Sequence, residues 1–300
     1  MKVLLLGASG QLGSALERQL VSVARVVSYS RLQLDITDYA AVTRVVDAVH
    51  PDVIINAAAY TAVDQAEKNR DAAFLVNAEA VSHLAQIATL KKSWLIHYSS
   101  DYVFDGEKKT PYLETDSANP INVYGASKLA GERAIISAGC EYWVFRTSWV
   151  IGGHGNNFAK TMLRLAQERS SLRVIADQRG VPTSTSLIAA ITVNAIQALI
   201  AKKPWPVGIY HTVPRGMTSW YEIAKTLLSM AQRHSVPLQC GSDQIIAIRA
   251  AEYQAVAQRP SNSQLNTQKL CRQLTWALPH WRDDFMKVAH SLINEVKMYE

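Results

Sequence analysis

Short uninterrupted apolar runs alternate with longer stretches of helical period along the first half of the chain. Residues 3–6 form the first run, and residues 11–21 then carry apolar positions at helical spacing. Residues 25–28 and 53–56 repeat the run, the second led in by Pro51 and Asp52. Residues 72–90 are rich in alanine and contain neither Gly nor Pro, which predicts a long helix. Residues 94–98 and 142–147 complete the series. Continuous apolar runs bounded by turn residues suit strands buried on both faces. Their alternation with helices predicts β-α-β units and an α/β fold with a doubly wound parallel sheet. Beyond about residue 150 the rhythm loosens, and Lys203-Pro204-Trp205-Pro206 interrupts it. The pattern predicts one domain over 1–150, completed by segments near 173–200. A smaller mixed α/β region over 151–300 follows, closed by a helix over 283–297. There is no internal repeat, low-complexity tract or long linker.

Composition narrows the picture only a little. A chain of 300 residues with 48% hydrophobic side chains builds a sizeable core and is not wholesale disordered. Lys and Arg exceed Asp and Glu by 31 to 25, giving a net charge of +6 and an invitation to an anionic partner. No basic run, helix-turn-helix or aromatic-basic motif accompanies that charge, so a nucleic-acid partner is a poor reading. Cys140, Cys240 and Cys271 form no C-x-x-C pair and read as three buried thiols in a reducing compartment. The leading apolar run stops at Gly7, short of the roughly 7–15 residues of a signal peptide. The longest apolar stretch, 187–201, is broken by Thr192, Asn194 and Gln197 and falls short of the roughly 20 residues of a membrane span. It reads as a buried or amphipathic helix. A cytoplasmic soluble protein with no membrane partner is expected.

Chemistry first appears at Gly7-Ala8-Ser9-Gly10-Gln11-Leu12-Gly13, between the first strand and the first helix. Glycine suits a tight turn that brings backbone close to a pyrophosphate, and the following helix N-terminus offers free N–H groups to that anion. The spacing is G-x-x-G-x-x-G, one residue longer than the commoner dinucleotide fingerprint. With a strand before it and a helix after it, the loop predicts a Rossmann-type dinucleotide-binding domain over 1–150. The end of the second strand reads Ser28-Tyr29-Ser30-Arg31 and lacks the acidic residue that holds ribose hydroxyls in NAD-selective proteins. Ser30 and Arg31 suit a 2′-phosphate, because a guanidinium grips phosphate oxygens with two prongs. That leans towards NADPH, with NADH possible, although an ordinary surface Arg fits nearly as well.

A second signal is Tyr124-Gly125-Ala126-Ser127-Lys128, preceded by Asn119-Pro120, where a helix is expected to begin. Tyr124 and Lys128 then lie four apart on one face. An ordinary tyrosine, with a pKa near 10, is a poor acid-base group at pH 7, and a neighbouring ammonium favours its phenolate. Moving it to pH 7 requires about 4 kcal/mol. Alone, Y-x-x-x-K mostly marks an exposed helix face. The third signal, Tyr98-Ser99-Ser100-Asp101-Tyr102-Val103-Phe104, follows the strand over 94–98, where ligands sit in parallel sheets. Ser99 and Ser100 are both candidates for a hydroxyl beside Tyr124.

Together the glycine loop, the serine and the Tyr-x-x-x-Lys pair resemble the extended short-chain dehydrogenase/reductase superfamily. Longer strings are similar to its dTDP-4-dehydrorhamnose reductase family. They are the run from Asn56 to Asp64, Ser100 to Phe104, Asn122 to Gly125, Phe145 to Val150, Gly155 to Met162, and Arg259-Pro260-x-Asn262-Ser263-x-Leu265-Asn266. The likeness covers essentially the whole chain. It implies reduction of the 4-keto group of dTDP-4-dehydro-L-rhamnose to dTDP-L-rhamnose, a step of dTDP-rhamnose and polysaccharide biosynthesis. Tyr124 would protonate the alkoxide, and Lys128 would hold the nicotinamide ribose and tune Tyr124. Ser100 stands where the family often has threonine. The resemblance also places Gly10, Gln11 and Leu12 at the pyrophosphate, Asp35 and Ile36 at the adenine, and Ala59, Tyr60 and Thr61 along the cofactor channel. Tyr98 becomes a further cofactor contact, and Ser100, Asp101 and Trp149 meet the sugar.

The remaining strings have physical readings of their own. Asn156, Asn157 and Phe158 precede a helical pattern over 159–168 and can present caps and N–H groups to a substrate pyrophosphate. Either Asn alone is as well read as a simple helix cap. Arg259 suits a phosphate clamp or a surface salt bridge. His97, within a strand, reads as a satisfied core histidine. Some relatives are thought to bind Mg²⁺ through carboxylates at a dimer interface, but the matching positions here are Ala15 and Ser186. Neither can serve as a hard-cation ligand in that way, so bound Mg²⁺ is not expected, and dimerisation is left open, a homodimer being possible but not indicated. Two other readings stand beside the main one. A sister reductase would act on another dTDP-4-keto-6-deoxy sugar, or set the opposite C4 configuration. A regulatory subunit similar to the β subunit of methionine adenosyltransferase would bind a dinucleotide without turnover. Intact Ser100, Tyr124 and Lys128 argue against the latter.

Overall fold

The computed structural model describes residues 1–298. Its strands are β1 (Lys2–Leu6), β2 (Arg25–Tyr29), β3 (Val53–Asn56), β4 (Trp94–Ser100), β5 (Tyr142–Thr147), β6 (Val150–Ile151), β7 (Leu172–Ile175), β8 (Thr183–Ser184), β9 (Gly208–His211) and β10 (Ile245–Ile248). Six of them form the main sheet in the order β2-β1-β3-β4-β5-β9, every pair parallel. Leu4 stands between Val27 and Ile54 in register, so the apolar runs of β1 and β3 are neighbours at the sheet centre. The order reverses between β1 and β3, which opens a crevice at the carboxyl ends of these strands.

The helices are α1 (Gln11–Leu20), α2 (Tyr39–Val49), α3 (Val63–Ala66), α4 (Arg70–Phe74), α5 (Ala80–Lys91), α6 (Val123–Ala138), α7 (Phe158–Glu168), α8 (Thr185–Ile200), α9 (Trp220–Arg233), α10 (Gln268–Cys271) and α11 (Trp281–Met298). Leu16 and Leu20 of α1, with Ile188, Ile191 and Ile196 of α8, bury one face of the sheet against Ile55 and Ile96. On the other face Val42 and Val46 of α2, Leu84 of α5 and Ile135 of α6 pack on Leu4, Leu6 and Ile54. A third core gathers Leu163 of α7, Leu227 of α9 and Phe285 and Leu292 of α11 around Leu172 and Ile245. Chain from the second half thus finishes the main sheet through β9 and covers it through α8.

Several expectations change in detail. The stretch 72–90 is not one α-helix: a π-helical segment, Leu75–Glu79, lies between α4 and α5. Asn77 in that widened turn donates to Tyr60 O at 3.0 Å and Ser127 Oγ at 3.0 Å, and accepts from Tyr60 N at 2.9 Å. These tertiary bonds hold the wide turn against the neighbouring loop, a placement π-segments often have near functional sites. The helix expected from Asn119-Pro120 starts at Val123, because Asn122 is the cap and accepts from Gly125 N at 2.7 Å. Asn119 instead donates to Asp105 Oδ2 at 3.2 Å. Strand β4 runs to Ser100 because Ser99 and Ser100 keep pairing with Arg146 and Thr147. The stretch 187–201 lies in α8, capped by Ser184, and among the described residues no helix is long and apolar enough to cross a membrane. Cys140 and Cys240 are buried as expected, but Cys271, at the end of the short helix α10, is exposed.

Candidate active site

A cavity of about 990 Å³ opens at the carboxyl ends of β1, β3, β4 and β5. That lies at the upper end of the ~300–1,000 Å³ usual for ligand pockets. The glycine loop forms its floor. Gly7 has φ +78°, and a Cβ there would lie 2.6 Å from Ala58 N, so only glycine lets the turn sit on the β3 exit. A Cβ on Gly13 would lie 2.1 Å from Gly7 O. Gly13 therefore faces the loop, not the cavity, and its role is to let α1 pack close. Gly7, Gly10, Gln11 and Leu12 line the cavity. Gly10 caps α1 without a side chain, which leaves the first N–H groups of α1 free for an anion. Gln11 also ties this loop to the segment before α7, for its Oε1 accepts from Asn157 Nδ2 at 3.0 Å and Gly152 N at 3.2 Å.

Arg31, Asp35 and Ile36 line the far end of the cavity, whereas Ser30 does not and donates to Gln33 Oε1 at 2.8 Å. The Arg31 side chain is 84% exposed and pairs with Asp35 at 3.5 Å, so it stands at the mouth, free to swing onto a ligand. The N–H and hydroxyl of Thr37, and then Arg31, hold the Asp35 carboxyl below its usual range. Ala59, Tyr60 and Thr61 also line the cavity, and the Asn77 bonds fix Tyr60 among them.

Tyr98, Ser100, Asp101, Tyr124 and Lys128 all line the cavity. Burial pushes the Tyr124 phenol up to about 12, the Asp101 charge adds to this, and a hydrogen bond with Ser100 opposes it. The lowering expected from Lys128 is not what the structure has. The Lys128 side chain is turned to His97, Nζ to Nε2 3.1 Å, and burial brings its pKa down to about 8 against the pull of Glu132. Ser100 Oγ donates to Asp101 Oδ1 at 2.9 Å. Tyr98 Oη shares a 2.8 Å hydrogen bond with Thr192, and its phenol is raised by burial. Ser99 Oγ and Thr147 Oγ1, both on the cavity wall, are buried without a hydrogen-bond partner among the described residues. Such hydroxyls, the open α1 terminus and the glycine cradle fit a dinucleotide.

Asp101 carries a pH signature. Burial pushes its carboxyl up to about 6, against hydrogen bonds from Ser263 and Ser100. An unfolded Asp titrates near 3.9. Between these values the folded chain holds a proton that the unfolded chain has released, so this group's contribution to stability is lost as pH rises through about 6. The stability of Asp101→Asn relative to the parent should therefore climb between about pH 4 and 6 and level off above. Denaturant midpoints across that range check it, and a flat difference contradicts it.

Trp149, at φ +45° between β5 and β6, stacks on Trp220 with centroids 4.0 Å apart, and Phe158 tilts against Trp220 at 4.6 Å. These three and Asn156 also line the cavity. Asn157 does not line it; it caps α7 by accepting from Lys160 N at 3.1 Å. Arg259 also lies off the wall, donating to Asp64 Oδ2 at 2.8 Å and bonded to Tyr102, whose ring meets Tyr124 edge-on at 5.7 Å. Ala15 is buried in the core and Ser186 bonds Ser184 at 2.9 Å. Among the described residues no cluster of three His, Cys, Asp or Glu side chains could hold a metal ion. Tyr102, Thr147 and Trp220 are wall residues that the sequence reading did not single out. For Trp220 a signal existed: Ser219-x-x-Glu222 is a helix-start pattern, and Ser219 Oγ does cap α9.

A parallel sheet with a glycine cradle at its first crossover, and Ser, Tyr and Lys converging beyond β4, defines an NAD(P)H-dependent oxidoreductase of the extended short-chain dehydrogenase/reductase class. Residues 1–294 match the family described as RmlD substrate binding domain. A dTDP-4-dehydrorhamnose reductase of Escherichia coli (strain K12) is 42% identical over 299 residues, covering 97% of this chain and 98% of the relative. A crystal structure of dTDP-4-dehydrorhamnose reductase from Bacillus anthracis in complex with NADP aligns with a TM-score of 0.87 at 36% identity, covering 96% of this chain and 98% of the other. The dTDP-glucose 4,6-dehydratase DesIV of Streptomyces venezuelae shares the fold alone, with a TM-score of 0.79 at 17% identity. The chain belongs to the dTDP-4-dehydrorhamnose reductase family.

Proposed function

We propose that this chain reduces the 4-keto group of dTDP-4-dehydro-L-rhamnose with NADPH, and less readily with NADH, to give dTDP-L-rhamnose. The observation that carries this reading is the convergence of Ser100, Tyr124 and Lys128 on the cavity floored by the glycine loop. The bound cofactor supplies a hydride to C4 of the sugar. Tyr124 donates its phenolic proton to the oxygen left at C4, as a general acid. The phenol carries its proton at neutral pH, as a general acid must before hydride arrives. Ser100, between Asp101 and Tyr124, orients the carbonyl and the phenol. Lys128 holds the nicotinamide ribose.

The cofactor lies along the residues of 1–150. Gly7, Gly10, Gln11 and Leu12 take its pyrophosphate, Asp35 and Ile36 its adenine, Ala59, Tyr60, Thr61 and Tyr98 the channel between, and Arg31 the 2′-phosphate. The sugar nucleotide lies mainly against residues of 151–300. Trp149, backed by Trp220, and Phe158 offer an apolar wall to the 6-deoxy sugar. Asn156 and the α7 terminus capped by Asn157 face the diphosphate, and Arg259 steadies Tyr102 beside the ring. The reaction belongs in the cytoplasm, where nucleotide sugars are made. Mixing the protein with enzymatically made substrate and NADPH, and following nicotinamide absorbance, tests the reading directly. Arg31→Asp should raise KM for NADPH about tenfold or more, the loss of one charge-assisted grip, and leave KM for NADH nearly unchanged. Equal effects on both cofactors would sink the 2′-phosphate assignment.

A further inference from the structure

His97 lies in the middle of β4, 1% exposed, and the proposed reaction gives it no task. Its two ring nitrogens are both engaged. Nδ1 lies 3.2 Å from Asn56 Nδ2 across the β3–β4 pair, and Nε2 lies 3.1 Å from Lys128 Nζ. The Asn56 amide cannot be turned round at will, because its Oδ1 accepts from Ala58 N at 3.1 Å. Reversing it would set an NH₂ against that backbone N–H and leave both donors unmet. Nδ2 therefore faces Nδ1, and an amide NH₂ can only donate. Nδ1 must then be the unprotonated nitrogen, and the ring proton sits on Nε2, aimed at the lysine. An N–H aimed at Nζ is met only by the lone pair of a neutral amine; an ammonium there meets a donor with a donor.

We infer that Asn56 locks His97 in the Nε2–H tautomer, and that His97 acts through Lys128 as a positioning residue that eases release of the lysine proton, so that cofactor binding draws that proton back. This rests on the proposed place of Lys128 at the nicotinamide ribose. Glu132, one turn on in α6, favours the ammonium, but it is itself tied to Arg146 of β5. Tyr124, one turn back, carries a raised pKa and is neutral at pH 7. Burial keeps His97 itself uncharged, with Lys128 adding to the effect.

The tautomer is read on the unmutated protein, without cofactor, by ¹⁵N NMR of histidine-labelled enzyme. His97 should show a bare Nδ1 and a protonated Nε2; the reverse pattern overturns the inference. Because neither ligand nor turnover enters that measurement, a wrong tautomer leaves the reductase reading to its own assay. The second arm follows NADPH affinity against pH. The parent should lose affinity as pH rises through the Lys128 pKa, near 8. In His97→Gln, whose carbonyl can accept from the ammonium, the midpoint should move up by about one pH unit, a tenfold change in proton affinity. A merely structural histidine would weaken binding at every pH and leave the midpoint in place, and that outcome also overturns the inference.

Discussion

Tyr124→Phe is expected to lower kcat by about 10²–10⁴-fold, the span a positioned general acid contributes. The phenol lies beside Ser100 on the cavity wall, the position from which the proton is given. Asp101 carries a nearby carboxyl, but Ser100 Oγ occupies its Oδ1, and above about pH 6 it has no proton to give. The ring of Phe keeps the edge-on contact with Tyr102 and the packing of α6, so the fold and NADPH affinity should hold. An unchanged Kd for NADPH with collapsed turnover would place the loss in the chemical step. Near-parent turnover would remove Tyr124 from the mechanism.

Glu132→Ala should cost about 3–5 kcal/mol of stability, the usual result of stripping one partner from a buried ion pair. Glu132 and Arg146 are bound by two prongs, Nε to Oε1 at 2.9 Å and Nη2 to Oε2 at 2.6 Å, with side chains 1% and 4% exposed. The pair pins α6, which carries Tyr124 and Lys128, to β5. Without Glu132 the guanidinium stays in the core beside the Phe104 ring, 5.0 Å from its centroid, and among the described residues Nη1 already has no acceptor. Glu132→Leu combined with Arg146→Met should recover most of the loss, because no charge then remains unpaired. Urea midpoints of the single and double variants decide this. A single-variant cost under about 1 kcal/mol would mean that the guanidinium reaches water.

The features legible in the sequence are those written into short local strings. Gly7 to Gly13 announce the cradle because turn, strand and helix lie within a few residues of each other. Ser100, Tyr124 and Lys128 stand out because each sits at a strand end or at helical spacing. Segments 53–56 and 142–147 coincide with β3 and β5, since their side chains are buried on both faces and the pattern is unbroken. What escaped depends on contacts made across the chain. The π-helical turn is held by Asn77 reaching Tyr60 and Ser127, 17 and 50 residues away. The high pKa of Tyr124 follows from burial and from Asp101, whereas spacing alone suggested that Lys128 would lower it. His97 reads as a core residue from its strand, and only the fold brings Lys128 to its ring. Trp220 completes the aromatic wall from a stretch with no site motif near it.

The most direct test of the account is the fate of the hydride. With substrate and NADPH deuterated on the transferred position of the nicotinamide ring, NMR of the product should show dTDP-L-rhamnose carrying deuterium at C4. Deuterium at C4 with the opposite configuration, label at another carbon, or NADPH left unconsumed would contradict it.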